Sequence, residues 1–206
     1  GSPADGVVNV GDVILGVHGR GFSGDARISF GKAITKAEKT ENSGKLPLIL
    51  WRNGKIERVA VQLQTMGSYS PTAPFDCPKS KKILEFSCAA LAKKIKANPT
   101  GGPVISRALN ALLLLASGDD KYLPVVKKQA KILSQTGQSS RLGTWNAGFV
   151  NIFLAEYVLA TGDRSSIAQG LKNITTLAVD GQGLVGSYGH KFADLKTKRL
   201  RANSGL

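Results

Sequence analysis

The sequence predicts an α+β protein in which a small β-sheet module comes first and helical hairpins follow. Three observations carry this. Residues Leu46 to Leu63 alternate around an Asn53-Gly54 turn, the pattern of a β-hairpin. Thr144 to Asp163, TWNAGFVNIFLAEYVLATGD, aligns without a gap on Thr100 to Asp119, TGGPVISRALNALLLLASGD, forty-four positions earlier. A constant interval of this size points to a stacked helical array. Between the two halves, Met66 to Pro78 holds three prolines and no periodicity, as a linker or strap does. The expected division is a sheet module over 1–64, a linker over 65–78, helical repeats over 79–190 and a basic tail over 191–206.

The first half reads in order. Pro3 and Gly6 shape turns, and Val10-Gly11-Asp12 makes a corner into a strand from Val13 to Val17. His18-Gly19 is a hairpin turn and His18 a surface residue. Ser23-Gly24-Asp25 offers a helix N-cap. Ala26, Phe30, Ala33, Ile34 and Ala37 form one apolar stripe behind it. Asn42-Ser43-Gly44 ends that helix. Leu46 to Trp51 and Ile56 to Leu63 are the strands of the closing hairpin.

The phrase GSPADGVVNVGDVILGVHGR and the segment LILWRNGKIERVAVQL resemble the corresponding parts of a bacterial-type PDZ domain. The resemblance covers residues 1–64. It implies a groove in which an extended peptide adds as a strand, its C-terminal carboxylate held by backbone N–H groups. In that family the carboxylate loop and groove strand precede the GSPA phrase, so the module here is a partial one. What remains of the groove is its helical wall, Ser23 to Lys39, with Ile28 and Lys32 as candidate peptide contacts. A sheet lacking its leading strands exposes an edge and an apolar face, so further polypeptide is expected to cover them.

In the second half, Asp76 is the expected cap of a helix from Lys79 to Lys96, with Leu84, Cys88, Leu91 and Ile95 on one face. Val104 to Ala116 and Phe149 to Ala160 are apolar nearly all round and are expected to be buried on most sides. Each ends in a Gly-Asp turn, Gly118-Asp119 and Gly162-Asp163, and leads into an amphipathic helix. The first of these helices, Asp120 to Gln135, turns Tyr122, Val125, Val126, Ala130 and Leu133 inward. The second, Ser165 to Val179, turns in Ile167, Leu171, Ile174 and Leu177. This alternation is similar to an α/α toroid, incomplete here because only five helices are legible. With the PDZ-like part it resembles a bacterial family of PDZ-plus-toroid proteins. That resemblance alone implies an extracytoplasmic location. Repeat ends expose apolar surface unless capped, so more polypeptide is expected there too.

The chain carries 28 Lys and Arg against 14 Asp and Glu, a net charge of +14. Such a balance favours anionic partners, including acidic polysaccharide and other anionic polymers. No nucleic-acid motif accompanies it. The residues 191–206 add a basic arm or the end of a longer loop. The sequence opens mid-phrase, with no basic-then-apolar leader, which reads as a fragment. Two cysteines, Cys77 and Cys88, make no zinc spacing. Cys88 reads as a small core residue, and a disulfide between the two is left open.

Chemistry is sparse. No phosphate loop, nucleophile elbow, zinc set or cyclase aspartate cluster is present, and no cofactor is implied. In toroids, ligands bind at the loops leading into the inner helices. By that resemblance, Trp145, Asn146, Tyr188 and His190 are candidate cavity residues. Thr144-Trp145-Asn146 and Ser187-Tyr188-Gly189-His190 echo each other. An aromatic beside polar groups suits a sugar ring or a peptide side chain. Glu156 interrupts an apolar helix and is expected to be buried, either paired or lining the cavity. Hydrolysis of a glycoside needs two facing carboxylates, and capping accounts for Asp119 and Asp163. The reading is a non-catalytic interaction module that binds an extended or C-terminal peptide. The alternative is a carbohydrate-binding or carbohydrate-active toroid, related to glycoside hydrolases or polysaccharide lyases if it is an enzyme.

Overall fold

A computed structural model describes residues 2–136 and 143–200. Gly1, Arg201 of the last basic cluster and the rest of the 201–206 tail lie outside the described residues. The chain is α+β. It divides into two compact units, Gly1–Glu85 and Phe86–Leu206, and the division falls inside a helix.

The first unit is a four-stranded antiparallel sheet with one helix. Strands β1 (Val13–Val17), β2 (Arg20–Gly21), β3 (Lys45–Arg52) and β4 (Lys55–Gln62) stand in the order β2-β1-β3-β4. Both hairpin turns use left-handed backbone: His18 and Gly19 at φ 50° and 77°, Asn53 and Gly54 at 47° and 81°. Two successive positive φ values make a type I′ turn, whose twist matches that of the strands. Helix α1 (Ala26–Ala37) starts at Asp25, whose carboxylate accepts from the Arg27 N–H, as expected. Strand β3 alternates strictly, so Leu46, Leu48 and Leu50 meet Ala33, Ala37 and Val61 in a small core. The opposite face carries Val13, Trp51 and Ile56, which the register aligns in one row across three strands. All three are exposed.

Arg52 fastens the unit's start to its sheet. Its guanidinium forks onto both oxygens of Asp12 at 2.9 and 2.6 Å, donates to the Val7 carbonyl and reaches Glu57. The Arg52 bonds, with the Asn9 N–H, hold the Asp12 carboxyl down at about 2.

Helix α2 (Pro78–Ala97) departs from expectation at its start. Asp76 lies at φ 46°, outside the helix. Cys77 occupies the capping position: its carbonyl accepts from the Lys81 N–H, and its sulfur accepts from Ser70. With Ser80 also donating to it, the Cys77 thiol is drawn down to about 6. Lys79 is buried, ion-paired to Glu38 with its ammonium 4.6 Å from the Tyr69 ring centre. Leu84 is exposed rather than inward, and the buried face is Cys88, Ala92 and Ile95. Both cysteines are free.

The second unit is built from helix pairs. Helices α3 (Val104–Ala116), α4 (Leu123–Ser134), α5 (Gly143–Thr161) and α6 (Ala168–Asp180) follow. α3 packs on α4 and α5, and α5 on α4 and α6. One interior collects Ala108, Ala111 and Leu114 of α3, Val125, Val126, Ala130 and Leu133 of α4, Val150, Phe153, Leu154 and Tyr157 of α5 and Ile174 of α6. The inward residues expected of the first outer helix are all buried. Gly118 and Gly162 have φ of 67° and 69°, so both Gly-Asp turns need glycine.

Asp163 does more than cap. It accepts from the Tyr157 hydroxyl at 2.8 Å and the Ser166 hydroxyl at 2.9 Å, and pairs with Lys127 of α4 at 2.9 Å. Lys127, then Tyr157 and Ser166, hold its carboxyl well below the usual carboxylate range. The inner helices are less buried than their composition suggests. Each keeps one apolar side open: Leu109 and Leu113 on α3, Ile152 and Leu159 on α5. The described part of the tail folds back instead of extending as an arm. Ala193 is buried, its N–H donating to the Gly181 carbonyl, and Lys198 reaches the Asp180 carbonyl. Among the described residues, no helix is long and apolar enough to cross a membrane.

Candidate functional site

The start of α5 and the segment after α6 build a recess together. Gly183, Gly186 and their turn bonds reverse the chain after α6. The Tyr188 hydroxyl then donates to the Ala178 carbonyl at 2.9 Å, fixing the segment against the helix it leaves. The His190 carbonyl takes the Thr144 N–H at 3.3 Å, one of the donors that a helix start leaves without an internal partner. Between them lies a cavity of about 340 Å³, lined by Thr144, Trp145, Phe149, Ile152, Tyr188 and His190 with two glycines.

Its chemistry is aromatic with few polar atoms. The Trp145 indole N–H donates to His190 Nδ1 at 3.0 Å, with ring centres 6.4 Å apart. Indole nitrogen can only donate, so Nδ1 is an acceptor and the imidazole is neutral with its proton on Nε2. Thr144 adds a hydroxyl oxygen that is buried with no hydrogen-bond partner. A buried hydroxyl in that condition costs free energy until something meets it. Trp145 and Tyr188 both keep exposed surface beside the recess.

The structure therefore brings together Trp145, Tyr188 and His190. Asn146 is half-buried next to Trp145 and does not line the cavity. Glu156 is exposed rather than buried, about three helical turns and roughly 16 Å along α5 from Trp145. It interrupts the apolar run because that face of α5 meets water. Phe149 and Ile152 were missed as lining residues because the helix read as buried on most sides. Their spacing from Trp145, four and seven residues, would have placed them on its face. No carboxylate lines the recess. Among the described residues no group of three His, Cys, Asp or Glu could hold a metal.

A second concavity lies in the first unit. Ile28, Gly31, Lys32, Thr35 and Lys36 of α1 line it with Lys39 and the turn Thr40–Asn42 behind the helix, enclosing about 520 Å³. Ile28 and Lys32 thus share one groove. No sheet residue borders it, so it runs along α1 and the following turn rather than between helix and strand.

A family model described as a domain of unknown function, DUF6288, matches residues 80–205, more than half the chain and including the whole recess. Comparison with curated proteins and with solved structures finds no match.

Proposed function

The chain belongs to the DUF6288 family, and from the recess at the head of α5 we propose that it is a non-catalytic binding protein whose helical unit takes the apolar face of a sugar ring. The observation that carries this is the pairing of aromatic surface with the His190 imidazole in one recess. Trp145 and Tyr188 offer ring surface beside a 340 Å³ cavity, on which the C–H face of a sugar stacks. His190 Nε2–H supplies a polar contact beside the rings. The unpartnered Thr144 hydroxyl lies buried under the same wall. Carboxylates are absent from the lining, which favours recognition over glycoside cleavage.

The chain has two tryptophans, Trp51 and Trp145. Trp51→Phe leaves Trp145 as the only indole, and its fluorescence reports on the recess alone. Oligosaccharides selected on a glycan array should shift that emission on titration. Trp145→Ala should weaken their binding by about tenfold, the worth of one stacked ring and its buried area. No glycan captured, or affinity untouched by Trp145→Ala, refutes the reading.

A second reading rests on the groove along α1. Ile28 is 58% exposed and sits with Lys32, Lys36 and Lys39, the last paired with Glu41 at the groove's end. An apolar residue among cations suits the C-terminal end of a peptide, and the PDZ resemblance of residues 1–64 points the same way. A C-terminal peptide library tests it: Lys32→Glu should abolish capture, and capture that survives the change removes the reading.

A further inference from the structure

The repeat gives residues 148–160 of α5 equivalents along the whole of α3, forty-four positions earlier. The two helices use opposite faces. On α3 the buried front is Ala108, Ala111 and Leu114, with Leu115 packed beside them. The equivalents on α5 are Ile152, Ala155, Val158 and Leu159, and here Ile152 and Leu159 are 53% and 78% exposed. On α5 the buried back is Val150, Phe153, Leu154 and Tyr157. The equivalents on α3 are Ser106, Leu109, Asn110 and Leu113, and the two leucines are 44% and 42% exposed. The surface that one helix buries is partly open on the other, at Ile152 and Leu159 of α5 and at Leu109 and Leu113 of α3, although Val158 still packs on the core.

The chain itself covers part of the open front. The loop Ser187 to His190, which echoes Thr144 to Asn146, lies against Trp145 to Ile152. No helix follows them among the described residues. The C-terminal half of the front stays open as a groove of about 580 Å³ between α5 and α6. Ala155, Val158, Leu159 and Leu171 line it with Arg164 and Lys172, and no carboxylate does.

We propose that this groove receives the back of α3 from a second copy of the chain, head to tail. Charge supports the match. Within one molecule, Lys127 of α4 pairs with Asp163 at the end of α5. The equivalent of Asp163 is Asp119, which lies just past α3, pairs with Lys121 of its own chain and is followed by Asp120. Seated in the groove, Asp120 meets Lys172 and Arg164; for none of the three is an ion pair found among the described residues. The contact is heterologous, so each molecule offers one front and one back and association continues into chains. It spans about two helical turns, placing it with small, weak interfaces.

Sedimentation velocity on the full chain over a concentration series tests this, with two single-face variants. Leu159→Asp spoils the front and Leu113→Asp spoils the back. The parent should gain mass as concentration rises, and each variant alone should remain monomeric. Mixed in equal amounts they should form a heterodimer and nothing larger, because one contributes an intact back and the other an intact front. Lys172→Glu, a surface change, keeps the test valid should Leu113→Asp fail to fold. It should weaken parent association by about tenfold at low salt. A parent that stays monomeric throughout, a variant that associates as the parent does, or a mixture that remains monomeric overturns the proposal.

Discussion

Phe153→Ala and Leu109→Ala change the same position of the repeat and should differ severalfold in cost. Phe153 is fully buried in the shared interior, with its ring 6.5 Å from that of Tyr157. Removing a buried phenylalanine side chain costs about 3–5 kcal/mol, through lost burial and the cavity left behind. Leu109 is 44% exposed, so its truncation forfeits only part of a leucine's transfer term, about 1 kcal/mol. Melting a unit the size of Phe86–Leu206 has an entropy of roughly 0.25 kcal/mol per degree. The two changes therefore lower its midpoint by about 12–20 °C and about 4 °C. Calorimetry on the full chain at low protein concentration, supported by urea unfolding followed by far-UV circular dichroism, reads both shifts. Equal costs at the two positions, or a Phe153→Ala cost below about 1 kcal/mol, would refute the front-to-back packing of α5 on α3.

Cys77 should make stability depend on pH. Its thiol falls from 9.0 to about 6 on folding, so the unfolded chain binds the extra proton between those values. Stability should therefore rise with pH from about 6 to 9, and Cys77→Ala should flatten that rise in a urea series. Asp12 has the same sign at lower pH. Its carboxyl is held at about 2 against 3.8, so its contribution is full above the higher value and is lost as pH falls towards the lower. An acid titration of Asp12→Asn should lack that loss. For the Lys79–Glu38 pair, buried at the lysine and partly exposed at the carboxylate, Lys79→Ala should cost about 1–3 kcal/mol by leaving Glu38 unpaired, while Lys79→Met with Glu38→Gln should cost far less. A double-mutant cycle measures the difference.

Much of this architecture was legible because local chemistry decides it. Asn53-Gly54 permits one tight turn, Asp25 caps one helix, and the forty-four-residue interval fixes which helices are alike. The recess was half legible. Trp145, Tyr188 and His190 were singled out by the echo between two loops, and they do meet. That echo has a structural meaning: the later loop sits where the next inner helix would begin. Glu156 was misplaced because an apolar helix composition does not tell a helix buried all round from one with a bare side. Lys79 and Cys77 owe their settings to contacts that no periodicity shows. Their partners, Glu38, Tyr69 and Ser70, are remote in sequence or lie in an irregular strap, where no periodicity signals contact.

The most direct test of the shared interior is native-state hydrogen exchange on α3 and α5. If one interior holds both, the amides of Ala111 and Leu114 should open with the same free energy as those of Val150 and Phe153, in the slowest class of the helical unit, and Phe153→Ala should accelerate all four together. Exchange in which α5 opens freely while α3 stays protected, or in which the substitution speeds one helix and spares the other, would contradict it.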